Sequence, residues 1–320
     1  MKGKIVLADA MGYCWGVRRT LDIIQRAGRP DNQIATIGDV IHNPQVVQRL
    51  RQAGVQTAET VDDASSQGFQ QVAITAHGAS PKRNQRAEDL GLSMVDTTCP
   101  LVTKVQRLAQ KLVKQGYFIV VYGDAGHPEV RGILGWADTS RAVAAKHVED
   151  LPWNAARGRT ASDDQIAPPR KVAVISQTTK IVDEFLAFTR NLTDLVAREG
   201  GEIRVCNTIC APTTERQNAI ERLSEQVDAI LVIGGRKSSN TARLAEVARG
   251  HGVISYHIEC ERDIDHAWLR DVTNVGITAG ASTPDDVIEG VIDHLAMHGY
   301  ERPTSHAWQS EYDLEHEPAY

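Results

Sequence analysis

A chain of 320 residues with 42% apolar residues and a net charge of −6 has the composition of a soluble globular protein with room for two or three cores. Its longest apolar runs, such as Tyr117–Tyr122 and Ala229–Ile233, have strand length and are too short to span a bilayer. The acidic balance gives no general attraction for nucleic acid, so any basic site for an anion has to be local. Five cysteines, odd in number and widely spaced, argue against a disulfide framework and for ligands or reactive thiols. Met1 leads straight into an apolar run with no signal-peptide pattern, so a cytoplasmic location is expected.

Apolar runs of strand length alternate with helical patterns along the whole chain. Strands are expected near Lys4–Ala8, Ile34–Ile37, Gln71–Thr75, Phe118–Tyr122, Val172–Ile175, Ala229–Ile233 and Asn274–Thr278. Helices are expected over Gly16–Arg26, Asn43–Ala53, Lys82–Leu90, Pro100–Lys114, Thr213–Gln226 and Asn240–Arg249. This order predicts an α/β fold with mostly parallel sheets, in which ligands bind beyond the carboxyl ends of the strands. Asn154–Arg170 reads as a surface loop, and the acidic, aromatic stretch 301–320 as a loosely held tail. Thr283 is expected to cap a helix that begins at Pro284.

Three cysteines share one setting. Cys99, in V-D-T-T-C-P-L-V-T-K, follows the end of a strand and precedes a proline that opens a helix. Cys14 (M-G-Y-C-W-G-V) and Cys210 (C-N-T-I-C-A-P-T-T-E-R-Q) also stand between an extended segment and a helix. A second polar site follows each after 28 residues: His42, His127 and Ser238. A third follows the next apolar run: His77, Thr178 and Ser282. The chain therefore reads as three degenerate copies of one α/β module in a closed assembly, divided as 1–98, 99–209 and 210–283. The helix at 284–300 is expected to pack on the first module.

Thiolates at helix N-termini suit an iron–sulfur cluster with one iron left without a protein ligand. Singly, each cysteine is better read as a small buried residue; equivalent placement three times reverses that preference. Zinc is the competing metal, but local C-x-x-C pairs are absent. Cys206 and Cys260 fall outside the repeat and read as structural or incidental. His42, His77, Ser238, Ser239, Asn240 and Ser282 bring imidazole, hydroxyl and amide groups to helix N-termini, a mixture suited to phosphate or diphosphate. Gly234 and Gly235 allow close backbone approach, while G-G-R-K-S-S-N lacks the spacing of a nucleotide P-loop. Glu129, in G-H-P-E-V, is either a proton carrier with a raised pKa or an acid complementing a helix N-terminus. Thr178 and Thr179 read as a helix cap or as hydroxyls facing a pocket.

Taken together, M-G-Y-C-W-G-V, V-I-H-N, T-A-H-G, D-T-T-C-P-L-V-T-K-V, G-H-P-E-V, Q-T-T, I-C-A-P-T-T-E-R-Q, S-S-N-T-A-R-L and T-A-G-A-S-T-P resemble the 4-hydroxy-3-methylbut-2-enyl diphosphate reductase (LytB) family, in order from Met11 to Pro284. The resemblance implies a trefoil of three α/β modules around a [4Fe–4S] cluster on Cys14, Cys99 and Cys210, which is found as [3Fe–4S] when the open iron is lost. It implies that His42, His77, Ser238, Asn240 and Ser282 bind the diphosphate with Ser239 close by, and that His127, Glu129 and Thr178 face the substrate hydroxyl. It implies a reductive dehydroxylation in the non-mevalonate isoprenoid pathway, fed by ferredoxin or flavodoxin, in a monomer or homodimer with no nucleic-acid or membrane partner. Trp15, where the family more often has a small residue, and the basic pair Arg18–Arg19 depart from the pattern. Two rivals stay open: a quinolinate-synthase-like three-cysteine enzyme, and a non-catalytic iron–sulfur redox sensor, in which Glu129 and the diphosphate loops have no task.

Overall fold

The computed structural model describes residues 3–28, 33–153 and 168–303. The expected surface loop at 154–170 and the tail at 301–320 lie almost wholly outside them. Strands and helices alternate from the start: β1 (Gly3–Leu7), α1 (Trp15–Ala27), β2 (Ile34–Ile37), α2 (Pro44–Gln52), β3 (Val55–Ala58), α3 (Val61–Ser66), β4 (Gln71–Ile74), α4 (Pro81–Asp89) and β5 (Ser93–Asp96). There follow α5 (Pro100–Lys114), β6 (Phe118–Tyr122), α6 (Pro128–Trp136), β7 (Ala142–Ala145), β8 (Lys171–Ser176), α7 (Val182–Arg198) and β9 (Glu202–Val205). The last stretch holds α8 (Ala211–Ser224), β10 (Ala229–Ile233), α9 (Ser239–Gly250), β11 (Ile254–Ile258), β12 (Val275–Ala279), α10 (Asp285–Met297) and β13 (Tyr300–Glu301).

These strands form three sheets, in the orders β11-β10-β12-β1-β13, β3-β2-β4-β5 and β7-β6-β8-β9. The strand pairs are parallel, as between β10 and β12 or β6 and β8. The described residues divide into two compact units, one of 3–28, 33–34, 39–57 and 210–303, the other of 35–38, 58–153 and 168–209.

All seven strands expected from the sequence are interior strands of these sheets. An interior parallel strand is covered on both faces and reads as a continuous apolar run. In β10 and β12 every residue is buried. In β6, Ile119 and Val121 face a core shared with Leu108, Leu112 and Ile133. Val120 and Tyr122 face the opposite core, with Phe185 and Leu192. Of the six edge strands, β3, β5, β9, β11 and β13 carry polar or exposed positions, while β7 is a short, half-buried alanine-rich segment. They give no such signal, apart from the strand end read before Cys99.

Helix starts follow a local rule. Proline occupies the first turn of α2, α4, α5, α6 and α8. Asn43, Thr60, Ser80 and Ser238 accept capping hydrogen bonds from their helices, each cap being worth about 1 kcal/mol. The expected cap on α10 is corrected. Pro284 takes the capping position and caps with no side chain, while the Thr283 hydroxyl donates to Ile233 O at 2.9 Å. A buried carbonyl at a strand end competes for that hydroxyl more strongly than a helix terminus open to water. Val287, Ile288, Val291 and Ile292 of α10 share one core with Ile5, Leu231 and Ile277.

Candidate functional site

Each sheet presents the same triplet from three adjacent strands. The loops after β10, β12 and β1 carry Ser238, Ser282 and Cys14. Those after β2, β4 and β5 carry His42, His77 and Cys99, and those after β6, β8 and β9 carry His127, Thr178 and Cys210. All nine residues therefore follow carboxyl ends of parallel strands, where open α/β sheets bind ligands. The sheets group them two polar residues first and the cysteine last, one step out of phase with chain-order modules that open on a cysteine.

Cys14, Cys99 and Cys210 occupy the capping positions of α1, α5 and α8, and none makes the side-chain capping hydrogen bond. All three are half-buried, and among the described residues no cysteine forms a disulfide. The Cys14 amide donates to Ala281 O at 3.2 Å, and the Cys99 amide to Ala76 O at 3.0 Å. Each bond ties a cysteine to the residue just before a polar loop residue, Ser282 in one case and His77 in the other. The Cys210 sulfur lies 3.1 Å from the Thr213 hydroxyl.

In the unit that contains Cys14 and Cys210, the polar loops are buried and under-satisfied. Both side-chain atoms of Asn240 and the Ser282 hydroxyl are buried without a hydrogen-bond partner. Buried polar atoms are ordinarily paired, so such a set marks a place for a ligand. Ser238 is spent partly on the cap, accepting from Thr241 N at 3.3 Å, and Ser239 is half-buried beside it. Gly235 carries the backbone past His42 so closely that a Cβ there would lie 2.2 Å from His42 O. Burial pushes the His42 imidazole below its ordinary pKa, which keeps the ring neutral.

The other unit holds Cys99, His77, His127, Glu129 and Thr178. Glu129 is buried at the start of α6. Its Oε1 accepts the Thr178 backbone N–H at 2.7 Å, and its Oε2 accepts the Thr178 hydroxyl at 2.8 Å. Desolvation raises its pKa from 4.5 to about 6, although both Thr178 bonds and the Lys180 charge oppose the rise. Glu129 is thus a buried carboxyl in the first turn of α6 that is bonded through both oxygens to the loop after β8. His127 caps α6, its Nδ1 accepting from Glu129 N at 3.2 Å, so its proton is on Nε2. The His77 and His127 rings meet edge to face at 5.3 Å. Thr179 is half-buried, its hydroxyl accepting from Gln177 Nε2 at 3.1 Å.

Two residues escaped the sequence reading. Arg216 is fully buried. Its guanidinium donates to Pro212 O and Gly12 O, both at 2.8 Å, and Nε is left without a partner. Burial lowers its pKa, and the charges that oppose this are Cys14 and Cys210, with Glu215 contributing less. Lys180 is buried with its ammonium over the Tyr122 ring. Arg216 stands inside the motif I-C-A-P-T-T-E-R-Q and Lys180 directly follows Q-T-T, but a charged residue on a helix or after a turn reads as solvated until its burial is known. Cys206 has its thiol pKa raised by burial, which disfavours a thiolate, and Cys260 packs against the core of its unit. Arg18 pairs with Asp285 at 3.4 Å and Trp15 opens α1.

Among the described residues no helix is long and apolar enough to cross a membrane. A family model described as LytB protein matches residues 5–296. A 4-hydroxy-3-methylbut-2-enyl diphosphate reductase of Anaeromyxobacter sp. (strain Fw109-5) is 38% identical over 94% of this chain and 99% of its own length. One from Geobacter sulfurreducens is 39% identical over 91% of this chain and 96% of its own. A solved (E)-4-hydroxy-3-methyl-but-2-enyl diphosphate reductase, the terminal enzyme of the non-mevalonate pathway, superposes with a TM-score of 0.63 at 31% identity, covering 92% of this chain and 99% of that one. The Plasmodium falciparum E-1-hydroxy-2-methyl-but-2-enyl-4-diphosphate reductase shares the fold, with a TM-score of 0.80 at 23% identity over 99% of this chain and 94% of that one. With a match from the first strand to the last helix and relatives this similar over nearly their whole length, the chain belongs to the LytB protein family.

Proposed function

We propose that this chain reduces 4-hydroxy-3-methylbut-2-enyl diphosphate to isopentenyl and dimethylallyl diphosphate, consuming two electrons and two protons and releasing the allylic hydroxyl as water. The single observation that carries this reading is the Glu129–Thr178 pair. A buried carboxyl with a pKa of about 6 is bonded through both oxygens to a threonine at a ligand-binding strand edge. Neither a redox sensor nor a structural ion pair has a use for such a group. The threefold division of the chain into 1–98, 99–209 and 210–283, one cysteine to each, belongs to the same proposal.

The thiols fit an iron–sulfur cluster. They sit at helix N-termini, form no disulfides and make no capping bonds. Arg216 is a buried cation whose supporting charges are two of them, and an anionic cluster would meet the need of a buried guanidinium for countercharge. Cys14, Cys99 and Cys210 would hold it. When bound, a [4Fe–4S] cluster with one iron free of protein ligands supplies electrons singly and a Lewis acid for the hydroxyl.

The chain's own residues would do the rest. His42, His77, Ser238, Asn240 and Ser282, with Ser239 close by, would hold the diphosphate. The buried Asn240 amide and Ser282 hydroxyl lack partners and can gain them from phosphate oxygens. Neutral His42 donates a hydrogen bond without carrying a charge into a desolvated site. With Glu129 ionised, the Thr178 hydroxyl points its proton at Oε2. With Glu129 protonated, the acid donates to Thr178 and turns the threonine proton outward. Thr178, flanked by His127, would thereby pass a proton to the leaving hydroxyl, and Glu129 would reload from solvent. The electron donor in this reading is ferredoxin or flavodoxin, the setting is the cytoplasm, and the enzyme is a monomer or homodimer.

The test is an anaerobic assay of cluster-loaded protein with the allylic diphosphate and dithionite-reduced viologen. Formation of both five-carbon diphosphates is expected. Intact cluster absorbance with no substrate consumed would overturn the assignment.

A further inference from the structure

Three histidines that the reductase reading leaves idle come together in the unit containing Cys14. His266 opens a 3-10 turn, His266–Leu269, while His294 lies in the last turn of α10 and His298 caps its C-terminus. One ring nitrogen from each falls within 4.8 Å of the other two. The ring centroids are 5.2, 4.1 and 4.5 Å apart, with interplanar angles of 17° to 32°. We propose that His266, His294 and His298 form a binding site for a divalent transition-metal ion of the zinc, nickel or copper class, clamping the 3-10 turn to the end of α10.

The local chemistry selects the ligand atoms. His298 Nδ1 lies 2.7 Å from His294 O. A carbonyl only accepts, so Nδ1 carries the proton and Nε2 presents its lone pair, the arrangement by which a backbone carbonyl orients a metal-binding imidazole. His294 Nε2 is buried and has no hydrogen-bond partner. That orphan is the independent sign of a missing ligand. His266 is exposed and its ring can turn from stacking toward convergence on an ion, while His298, also exposed, is already oriented by its backbone bond.

Charge favours a cation here. The C-terminus of α10 points its carbonyls and negative dipole end at the cluster. Glu261 adds a carboxylate. Its Oε2 would be 3.5 Å from a Cβ at Gly290, one turn before His294, and its charge acts on His294. Three imidazoles form a donor set matched to zinc, nickel or copper and not to magnesium or calcium. The site is also remote from the proposed chemistry. α10 runs back from the Ser282 loop, and at 1.5 Å per residue its length of 13 residues sets the histidines roughly 20 Å from that loop. A structural role follows, independent of turnover.

The experiment uses anaerobically prepared, cluster-loaded full chain titrated with Zn²⁺ against a chromophoric chelator, and with Co²⁺ followed by its visible ligand-field bands. One Zn²⁺ per chain is expected, bound in the micromolar range or tighter. The exposed exchanges His266→Ala and His298→Ala should each weaken binding by ~30-fold or more. They should also abolish the Zn²⁺-dependent rise in Tm, with reductase activity unchanged. Equal Zn²⁺ uptake by the parent and both variants, or imidazole-free cobalt bands, would overturn the site whatever the outcome of the reductase assay.

Discussion

Glu129 shows how burial sets a single residue's chemistry. Its pKa rises from 4.5 to about 6 because desolvation of the carboxylate outweighs two hydrogen bonds and the Lys180 charge. The folded state therefore holds the proton more tightly than the unfolded chain. Stability associated with Glu129 is fully present below pH 4.5 and declines as pH rises through about 6, by about 2 kcal/mol for a shift of this size. Glu129→Gln removes that dependence. In denaturant titrations the difference between parent and variant should change by this amount across the window, in favour of the variant at higher pH. In the proposed reaction the same variant should lose turnover with reduced dye and keep its cluster absorbance. For the parent, kcat/KM should fall above pH 6 as Glu129 loses its proton. Normal turnover in Glu129→Gln would remove it from the mechanism.

Arg216 makes the complementary point. Its guanidinium is fully buried, is bonded to backbone acceptors, and has its pKa lowered by burial, an effect opposed by Cys14, Cys210 and Glu215. Arg216→Met should lower the iron content of purified protein several-fold while leaving the far-ultraviolet dichroism of the folded chain in place. Full iron loading in that variant would show that the cation does not support the thiolates.

At the level of elements, a repeated device, strand end, polar residue, helix N-terminus, sets every proposed site residue. Cys14, Cys99 and Cys210 are each the first residue before a helix, where free N–H groups favour a thiolate. Serine exchanged at any of these three should abolish the cluster spectrum, whereas Cys206→Ser and Cys260→Ser should retain it; equal loss at all five would contradict the ligand set. The glycine loops are the other half of the device. Gly235→Ala would drive a methyl group into His42 O, which neither backbone segment can avoid without shifting. The expected result is a loss of about 1–3 kcal/mol in stability and a rise in KM exceeding any fall in kcat, because the displaced residue is a proposed diphosphate ligand. An unchanged KM would separate His42 from substrate binding.

At the scale of the whole molecule, three parallel sheets repeat one topology, and each delivers two polar residues and a cysteine from adjacent strands. The interior strands were legible because a run such as A-I-L-V-I is apolar on both faces and fits nothing but a covered parallel sheet. Edge strands such as β9, with Glu202 and Arg204 exposed, share their composition with loops and gave no warning. Helix starts were legible at α2, α4, α5 and α9, where proline or a capping side chain marked them, but the short α3 behind Thr60 went unread and the cap failed at Thr283, where a distant carbonyl took the hydroxyl.

The sequence by itself determined the alternation of strand and helix, the edge at which functional residues gather and which cysteines stand at helix starts. These follow from local periodicity, capping and the fixed geometry of parallel sheets. Only the tertiary structure decided that β1 lies beside β12 and that Arg216 and Lys180 are buried. It alone joined Glu129 to Thr178 and brought His266 to His294 and His298. Desolvation, strand order and unpaired buried atoms depend on which distant segments enclose a residue, and no local pattern carries that information.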